Sequence, residues 1–543
     1  MAVKVKKRGS FVKQAAILAS AGILVRFLGF VYRLPLTNMI GDEGNAIYSA
    51  GYYIYTFLLI LSSAGLPAAI SKLVSERLAL RQYRNAHHVF QAALIVSVSM
   101  GLFFGIILFV FSDRIAVISG IPESSYCVKT LAPTLLVVAV MSAYRGYFQG
   151  MNTMVPTAIS QIIEQIFNAF FSVYLAYVFL GLYIPEGMTK NIPLGAAGGT
   201  MGTGVGAVAG LVVVVFSYML IRPTLTRRAR RCHQPVEISR KEAVGMVLQT
   251  AWPIIAGTAV FSITNLIDMS MVMRILESIN YTHDEAEVLY GQLSGKYVTL
   301  TTLPVSISTA IATAVLPSIA ASVKLGEKKQ VRKKMDLTYR ISMIISVPAA
   351  VGIGALGTQI IAMLFPSASE GGSLLTVGAV SIIFLALCQT STGILQGIGR
   401  IKVPVVGALL GAVAKIILNL LLISRPSLNI YGAVLSTTGC YFVAAVFDVA
   451  MLSRYTGTKF DIMGSFLKPI IGSAIMGAAA LGVYHGLYLL LPNNTACTLI
   501  AIAIAIVIYG LVMLVIKGIT EDDLQHIPGG TRLIPMLRRC HLL

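Results

Sequence analysis

Charge is the first thing this chain has little of. Only 12% of its 543 residues are Asp, Glu, Lys or Arg, against about 25% in an ordinary soluble domain. Water is therefore not its main solvent, and no hydrophilic stretch is long enough for a separate soluble domain. Cysteine is also sparse. Six are spread from Cys127 to Cys540, mostly inside apolar runs and without a CxxC pair, which excludes a zinc ribbon or a disulfide framework and leaves inert packing thiols. Motifs of catalysis are missing too: there is no GxSxG, no HExxH and no phosphate loop opening a helix. An enzyme, a bound cofactor and a metal site are therefore not expected. The seven histidines include the adjacent His87 and His88, which read as solvated surface in a basic loop.

What the chain has instead is apolar sequence, 56% hydrophobic residues arranged in repeated runs. A helix rising 1.5 Å per residue needs about 20 residues to cross a hydrocarbon core of roughly 30 Å. With no water at that depth to satisfy backbone groups, such runs must be helical. Runs between polar or Pro/Gly breaks fall near 11–36, 46–71, 88–112, 128–150, 155–182 and 195–222, then near 244–275, 293–322, 337–365, 372–397, 402–424 and 429–453, with a last pair near 464–490 and 495–517. The expected fold is all-α and polytopic, with about fourteen transmembrane helices. The basic N-terminus, MAVKVKKRGSFVK, leads into the first run without a small-residue cleavage site, so an uncleaved first helix is expected.

The net charge of +20 would point to nucleic acid in a soluble protein, but the basic residues lie in alternate loops. The N-terminus, 72–84 (Lys72, Arg77, Arg81, Arg84), 227–241 and 324–334 are basic, followed by Arg400, Lys402, Arg454 and Lys459. The intervening loops near 37–44, 280–287, 366–372 and 491–495 are poor in basic residues and sometimes acidic. Cytoplasmic loops carry the Lys/Arg excess, so both termini are expected in the cytoplasm. Nucleic acid is not an expected partner; membrane lipids are, with anionic heads a secondary contact.

The sequence also repeats at an offset of about 250 residues. Leu66-Pro67-Ala68-Ala69-Ile70 is echoed by Leu316-Pro317-Ser318-Ile319-Ala320, and Gln149-Gly150 with Val155-Pro156 by Gln396-Gly397 with Val403-Pro404. Glu164 and Asn168, one helical turn apart, are echoed by Lys415 and Asn419. Six helices per copy is an even number, so both copies enter the membrane in the same direction and form two pseudo-symmetric bundles about an axis along the membrane normal. The expected division is residues 1–222, a basic linker 223–243, residues 244–459, and residues 460–543 with two extra helices and a cytoplasmic tail. A central cavity between the bundles is expected.

Charges at bilayer depth are costly and mark candidate sites. Arg26 lies near the middle of the first run and Arg33 is seven residues on, about two turns along one face. Two guanidiniums so placed suit an anion with several oxygens, such as a diphosphate; Arg33 is also near enough to the interface to snorkel. Arg145, Arg274 and Lys296 lie nearer helix ends and complete the candidate substrate-binding set. Glu164, Asn168, Asp268, Lys415 and Asn419 are candidate intramembrane polar or coupling residues. Asp268 and Lys415 fall in the same sequence half and could neutralise one another or couple transport to an ion.

Several stretches resemble the multidrug/oligosaccharidyl-lipid/polysaccharide exporter superfamily, within it the peptidoglycan lipid II flippase and stage V sporulation protein B branch. They are Arg26-Phe27-Leu28-Gly29-Phe30, Ile40-Gly41-Asp42-Glu43-Gly44, the run Gly65 to Glu76, and Thr313 to Ile319. The resemblance covers nearly the whole chain and implies two six-helix bundles, often with two extra helices. It implies alternating-access movement of an undecaprenyl-diphosphate-linked sugar, most simply lipid II, to the outer leaflet of a bacterial plasma membrane. The arginines of the first helix would receive the diphosphate. Arg26 matches the family's first arginine, while Arg33 sits one residue beyond the usual second. Some members bind sodium through an Asp in helix 7 and an Asn/Asp pair in helix 11; Asp268 fits, but a lysine at 415 beside Asn419 argues against sodium there. No nucleotide site is visible, so the membrane potential, protons or another ion gradient would drive transport. Competing readings are export of another lipid-linked polysaccharide or spore-cortex unit, cation-coupled drug efflux, and a non-transporting scaffold for cell-wall synthesis machinery. Drug efflux ranks last because the first helix is cationic.

Overall fold

The computed structural model describes residues 3–184, 190–230, 238–457 and 466–518, and no β-strand occurs among them. The linker residues 231–237 and the tail from 519 lie outside the described residues. Packing divides the chain into two compact units, Met1–Gly291 and Gln292–Leu543.

The first unit holds α1 (Val3–Leu59), α2 (Leu66–Ala79), α3 (Tyr83–Val110), α4 (Ser112–Ser119), α5 (Ser125–Gly150), α6 (Val155–Leu180), α7 (Ile192–Arg230), α8 (Arg240–Ser278) and α9 (His283–Gly291). The second holds α10 (Val298–Lys324), α11 (Lys328–Ala355), α12 (Gly357–Leu364), α13 (Gly372–Gly378), α14 (Ser381–Gly397), α15 (Lys402–Leu422), α16 (Asn429–Thr456), α17 (Lys468–Leu490) and α18 (Asn494–Val515). Among the described residues ten helices are long and apolar enough to cross a membrane, or eleven if the bent pair α13 and α14 forms one span.

Local sequence sets where these helices begin and end. Ser239 and Glu242 form a capping box in which the Ser239 hydroxyl accepts from the Glu242 amide and the Glu242 carboxylate from the Ser239 amide. Two of the amides left open at the start of α8 are thereby satisfied. Thr282 and Glu285 repeat the device ahead of α9, at 2.9 and 3.3 Å. Gly457, at φ 65°, ends α16 in the left-handed conformation that suits glycine.

The expected outer loop at 37–44 is instead a sharp break inside α1, centred on Gly41 at φ 71°. Asn45 explains why so little chain is needed. Its Nδ2 donates to the Gly41 carbonyl at 2.8 Å, and Thr37 donates to its Oδ1 at 3.2 Å, so backbone freed by the break is satisfied locally. The expected spans 11–36 and 46–71 accordingly meet with only this break between them.

The sequence repeat places its boundary at 223–243, whereas packing places one after α9. The reason is that α8 belongs physically to the first unit. Gly65 lies so close to it that an added Cβ would come within 2.7 Å of the Ala251 carbonyl, and Arg274 donates to the Ile118 carbonyl at 2.9 Å.

Within each unit the repeat has matching contacts. An added Cβ at Gly146 of α5 would sit 2.9 Å from Pro67 of α2, and one at Gly393 of α14 would sit 2.8 Å from Ala312 of α10. The tightest pairing is α6 with α7. Gly198, Gly202, Gly206 and Gly210 recur every fourth residue along α7 and face Leu175, Ser172, Glu164 and Ser160 of α6, mostly at their backbones. Lipid tails are as apolar as leucine, so helices in a bilayer cohere through such close approach rather than by hiding apolar surface.

Gly202 is the closest of these approaches. Gly202→Ala is expected to force α6 and α7 apart at a cost of about 1–3 kcal/mol, whereas Gly482→Ala, inside α17 where no atom lies within 4 Å, is expected to be neutral to stabilising by up to about 1 kcal/mol. Thermal midpoints of the two detergent-solubilised variants check this, and equal midpoints would refute the backbone contact.

Candidate functional site

The arginine-bearing helix α1 is the centre of the candidate site. Arg26 is exposed on it, in the same apolar segment as exposed Ile23, Leu24 and Phe27. Arg33 is partly buried against aromatic residues of the same unit. Its guanidinium lies 4.9 Å from the centroid of the Tyr48 ring, a cation–π distance, and the Tyr48 hydroxyl is 3.2 Å from that of Tyr32. Tyr48 in turn stacks on Tyr52 at 6.0 Å. A cation over an aromatic face keeps its charge, and a guanidinium is the group that grips carboxylate or phosphate bidentately. Arg26 and Arg33 also make further interactions.

Arg145 and Glu164 turn out to be partners. Arg145 Nη2 donates to Glu164 Oε2 at 2.6 Å and its Nε to Ser160 Oγ at 2.9 Å, joining α5 to α6. Both side chains are mostly buried, at 13% and 27% exposed. One residue expected at a substrate and one expected in coupling thus neutralise each other inside the first unit. Neither is near the other in sequence, so their pairing was not visible there.

Asn168 is buried one turn beyond Glu164 and accepts from Ser172 at 2.8 Å and from Thr203 of α7 at 3.3 Å. Its echo Asn419 is fully buried in α15 and accepts from Ser436 of α16. The repeat therefore preserves a physical device, a buried asparagine whose amide oxygen accepts a hydrogen bond from a hydroxyl on the next helix. Lys415 is 2% exposed on the same face as Asn419. Asp268 is partly buried in α8 of the first unit, while Lys415 lies in the second.

Arg274 is exposed and donates to the Ile118 carbonyl. Lys296 has no exposed surface: its Nζ donates to the Ala368 and Glu370 carbonyls at 2.6 and 2.9 Å and lies 5.9 Å from the Phe365 ring centroid. The ammonium ties down the turn at 366–371, where Gly371 adopts φ 84°.

One intramembrane acid escaped the sequence reading. Asp448 is 1% exposed in α16, with the Thr392 hydroxyl at a long 3.5 Å. Its signal was present, since it is the sole carboxylate in the apolar run 429–453, but it lies close enough to Arg454 to read as a helix end.

The Arg145–Glu164 pair yields a thermodynamic test. Glu164→Gln leaves a largely buried guanidinium uncompensated and is expected to cost about 1–3 kcal/mol, below the 3–5 typical of a fully buried pair because both groups keep some solvent. Adding Arg145→Gln should recover part of that loss. A double-mutant cycle on thermal unfolding in detergent measures the coupling, and strictly additive effects would sink the pairing.

Comparison with known proteins agrees with this architecture. Residues 11–323 match the family described as polysaccharide biosynthesis protein, and residues 293–421 match the MatE family. The chain is 29% identical over 492 residues to the lipid II flippase MurJ of Bacillus subtilis (strain 168), covering 87% of each chain. It is 25% identical over 530 residues to stage V sporulation protein B of the same organism, covering 97% of this chain and 99% of that one. Among solved structures, a lipid II flippase MurJ in an inward closed conformation superposes with a TM-score of 0.68 at 16% identity, over 92% of this chain and 98% of that one. This multi-pass membrane protein belongs to the polysaccharide biosynthesis protein family, within the multidrug/oligosaccharidyl-lipid/polysaccharide exporter superfamily.

Proposed function

We propose that the protein is a flippase that carries an undecaprenyl-diphosphate-linked oligosaccharide, lipid II first among candidates, from the inner to the outer leaflet by alternating access. The observation that carries this reading is the pair Arg26 and Arg33 on α1, one exposed and the other set over the ring of Tyr48. Forked cationic donors in an apolar helix suit a diphosphate, and they disfavour a cationic drug. The near full-length similarity to the lipid II flippase MurJ supports the same substrate class. A second reading, a glycan carrier used in sporulation, draws support from the similarity to stage V sporulation protein B across 97% of this chain.

The proposed topology has fourteen crossings with both termini in the cytoplasm: to the eleven helices counted by length and apolarity are added α8, α10 and a second crossing within residues 20–79, which that count takes as one span. Sodium is not the proposed coupling ion, because the buried ammonium of Lys415 stands beside Asn419 and repels a cation.

The test is to express the chain in a bacterium depleted of its own lipid II flippase and to measure lipid II reaching the outer leaflet. The native chain should restore exposure, and Arg26→Ala at matched expression should lower it about tenfold or more, since hydrogen bonds to a charged group contribute about 1.5–3 kcal/mol. No exposure from well-inserted native chain would remove lipid II and favour the sporulation glycan; full activity of the variant would remove the diphosphate role of Arg26.

Topology has its own readout. In cells whose version of the protein lacks Cys232 and Cys540, a cysteine at Asn493 should react with a membrane-impermeant maleimide added outside, and one at Lys328 should not. Reversed labelling would overturn the orientation.

A further inference from the structure

Two segments that the sequence keeps far apart meet in the first unit. Glu123 lies in the short 3-10 turn Pro122–Ser124 ahead of α5, and His283 and Glu287 lie one turn apart on α9. One carboxylate oxygen from each glutamate and a ring nitrogen of His283 all lie within 4.8 Å of one another. His283 Nε2 is 3.8 Å from Glu123 Oε2.

An acidic cluster alone would mean little, but two further observations point to a ligand. Glu287 is only 3% exposed, and its Oε1 has no hydrogen-bond partner; Glu123 Oε2 and His283 Nε2, equally hidden from solvent, have none either. A buried carboxylate oxygen without a partner is a costly arrangement. The other face of the imidazole is already committed, since His283 Nδ1 lies 2.7 Å from Glu277 Oε1. A carboxylate on one ring nitrogen fixes the tautomer and leaves the lone pair of the other aimed at the cluster, which is the outer-sphere arrangement of histidine metal ligands.

We propose that Glu123, His283 and Glu287 bind a divalent transition-metal ion of the zinc type, which clips the turn ahead of α5 to α9. Two carboxylates and an imidazole are a nitrogen–oxygen donor set suited to zinc rather than to magnesium or calcium, which take oxygen ligands. Tetrahedral zinc at about 2.0–2.2 Å from each donor requires the three atoms to close by about 1 Å, a movement within reach of side-chain rotation. The fourth position stays open to water or to an anionic group.

The site does not depend on which lipid is carried, so its test is direct binding. The purified full chain, stripped with chelator, is titrated with Zn2+ alone by isothermal calorimetry, with Mg2+ and Ca2+ as competitors. One ion should bind per chain, uncontested by Mg2+ or Ca2+. His283→Ala and Glu287→Gln should each weaken binding by at least about 100-fold, and Glu277→Gln by about 10-fold to 100-fold. The double variant His87→Ala/His88→Ala should bind as the native chain does. Glu287→Gln is nearly isosteric, so it should fold; Zn2+ should raise the thermal midpoint of the native chain and not of this variant. Absence of saturable one-to-one binding, or binding that survives His283→Ala and Glu287→Gln, or binding lost only with His87 and His88, would overturn the site.

Discussion

Helices that share a bilayer cannot be held together by the expulsion of water, because the lipid around them is as apolar as their own side chains. Cohesion must come from close approach and from polar groups that satisfy one another. This constraint explains why α7 places glycine at 198, 202, 206 and 210 and lays that ridge on the backbone of α6. It also explains the exposed apolar side chains on the other faces of these helices, such as Val208, Val212 and Phe216 of α7. In water such a surface would be an aggregation hazard; in hydrocarbon it is the ordinary solvent-facing side. Glycine here serves proximity, and every dispersion contact across the pair becomes shorter and stronger for the lack of a Cβ.

The same constraint governs the charges. An ion buried without a partner is penalised heavily, so each one must be paired, solvated or used. Arg145 and Glu164 are paired, and Lys296 is solvated by two carbonyls in place of water. The α1 arginines are placed differently again: Arg26 is exposed and Arg33 rests on a ring face, where the cation is attracted by the ring and keeps its positive charge.

The helices were legible in the sequence because a span needs about 20 apolar residues and few other structures produce such runs. Capping residues were legible in principle as well, as Ser239 with Glu242 and Thr282 with Glu285 show. The break at Gly41 was misread as a loop, since polar composition marks a departure from helix without fixing its length. Asn45 and Thr37 shorten it through bonds to backbone and to each other. Pairings across long sequence separations were not legible at all. Arg145 meets Glu164, and Glu123 meets His283 and Glu287, through helix packing that no single periodicity encodes.

The two sequence copies keep one device and discard another. Asn168 and Asn419 are both buried, and each receives a hydrogen bond from a hydroxyl on the following helix, Thr203 in one copy and Ser436 in the other. A neutral amide of this kind joins two helices at little electrostatic cost, and it suits both copies equally well. One turn earlier the copies diverge, with Glu164 in α6 and Lys415 in α15. The carboxylate has a partner from its own unit in Arg145. Lys415 is a basic residue at the position where the first copy has an acid, and it is 2% exposed. The two copies thus share an uncharged hydrogen bond and differ in the sign of the ionisable residue one turn before it.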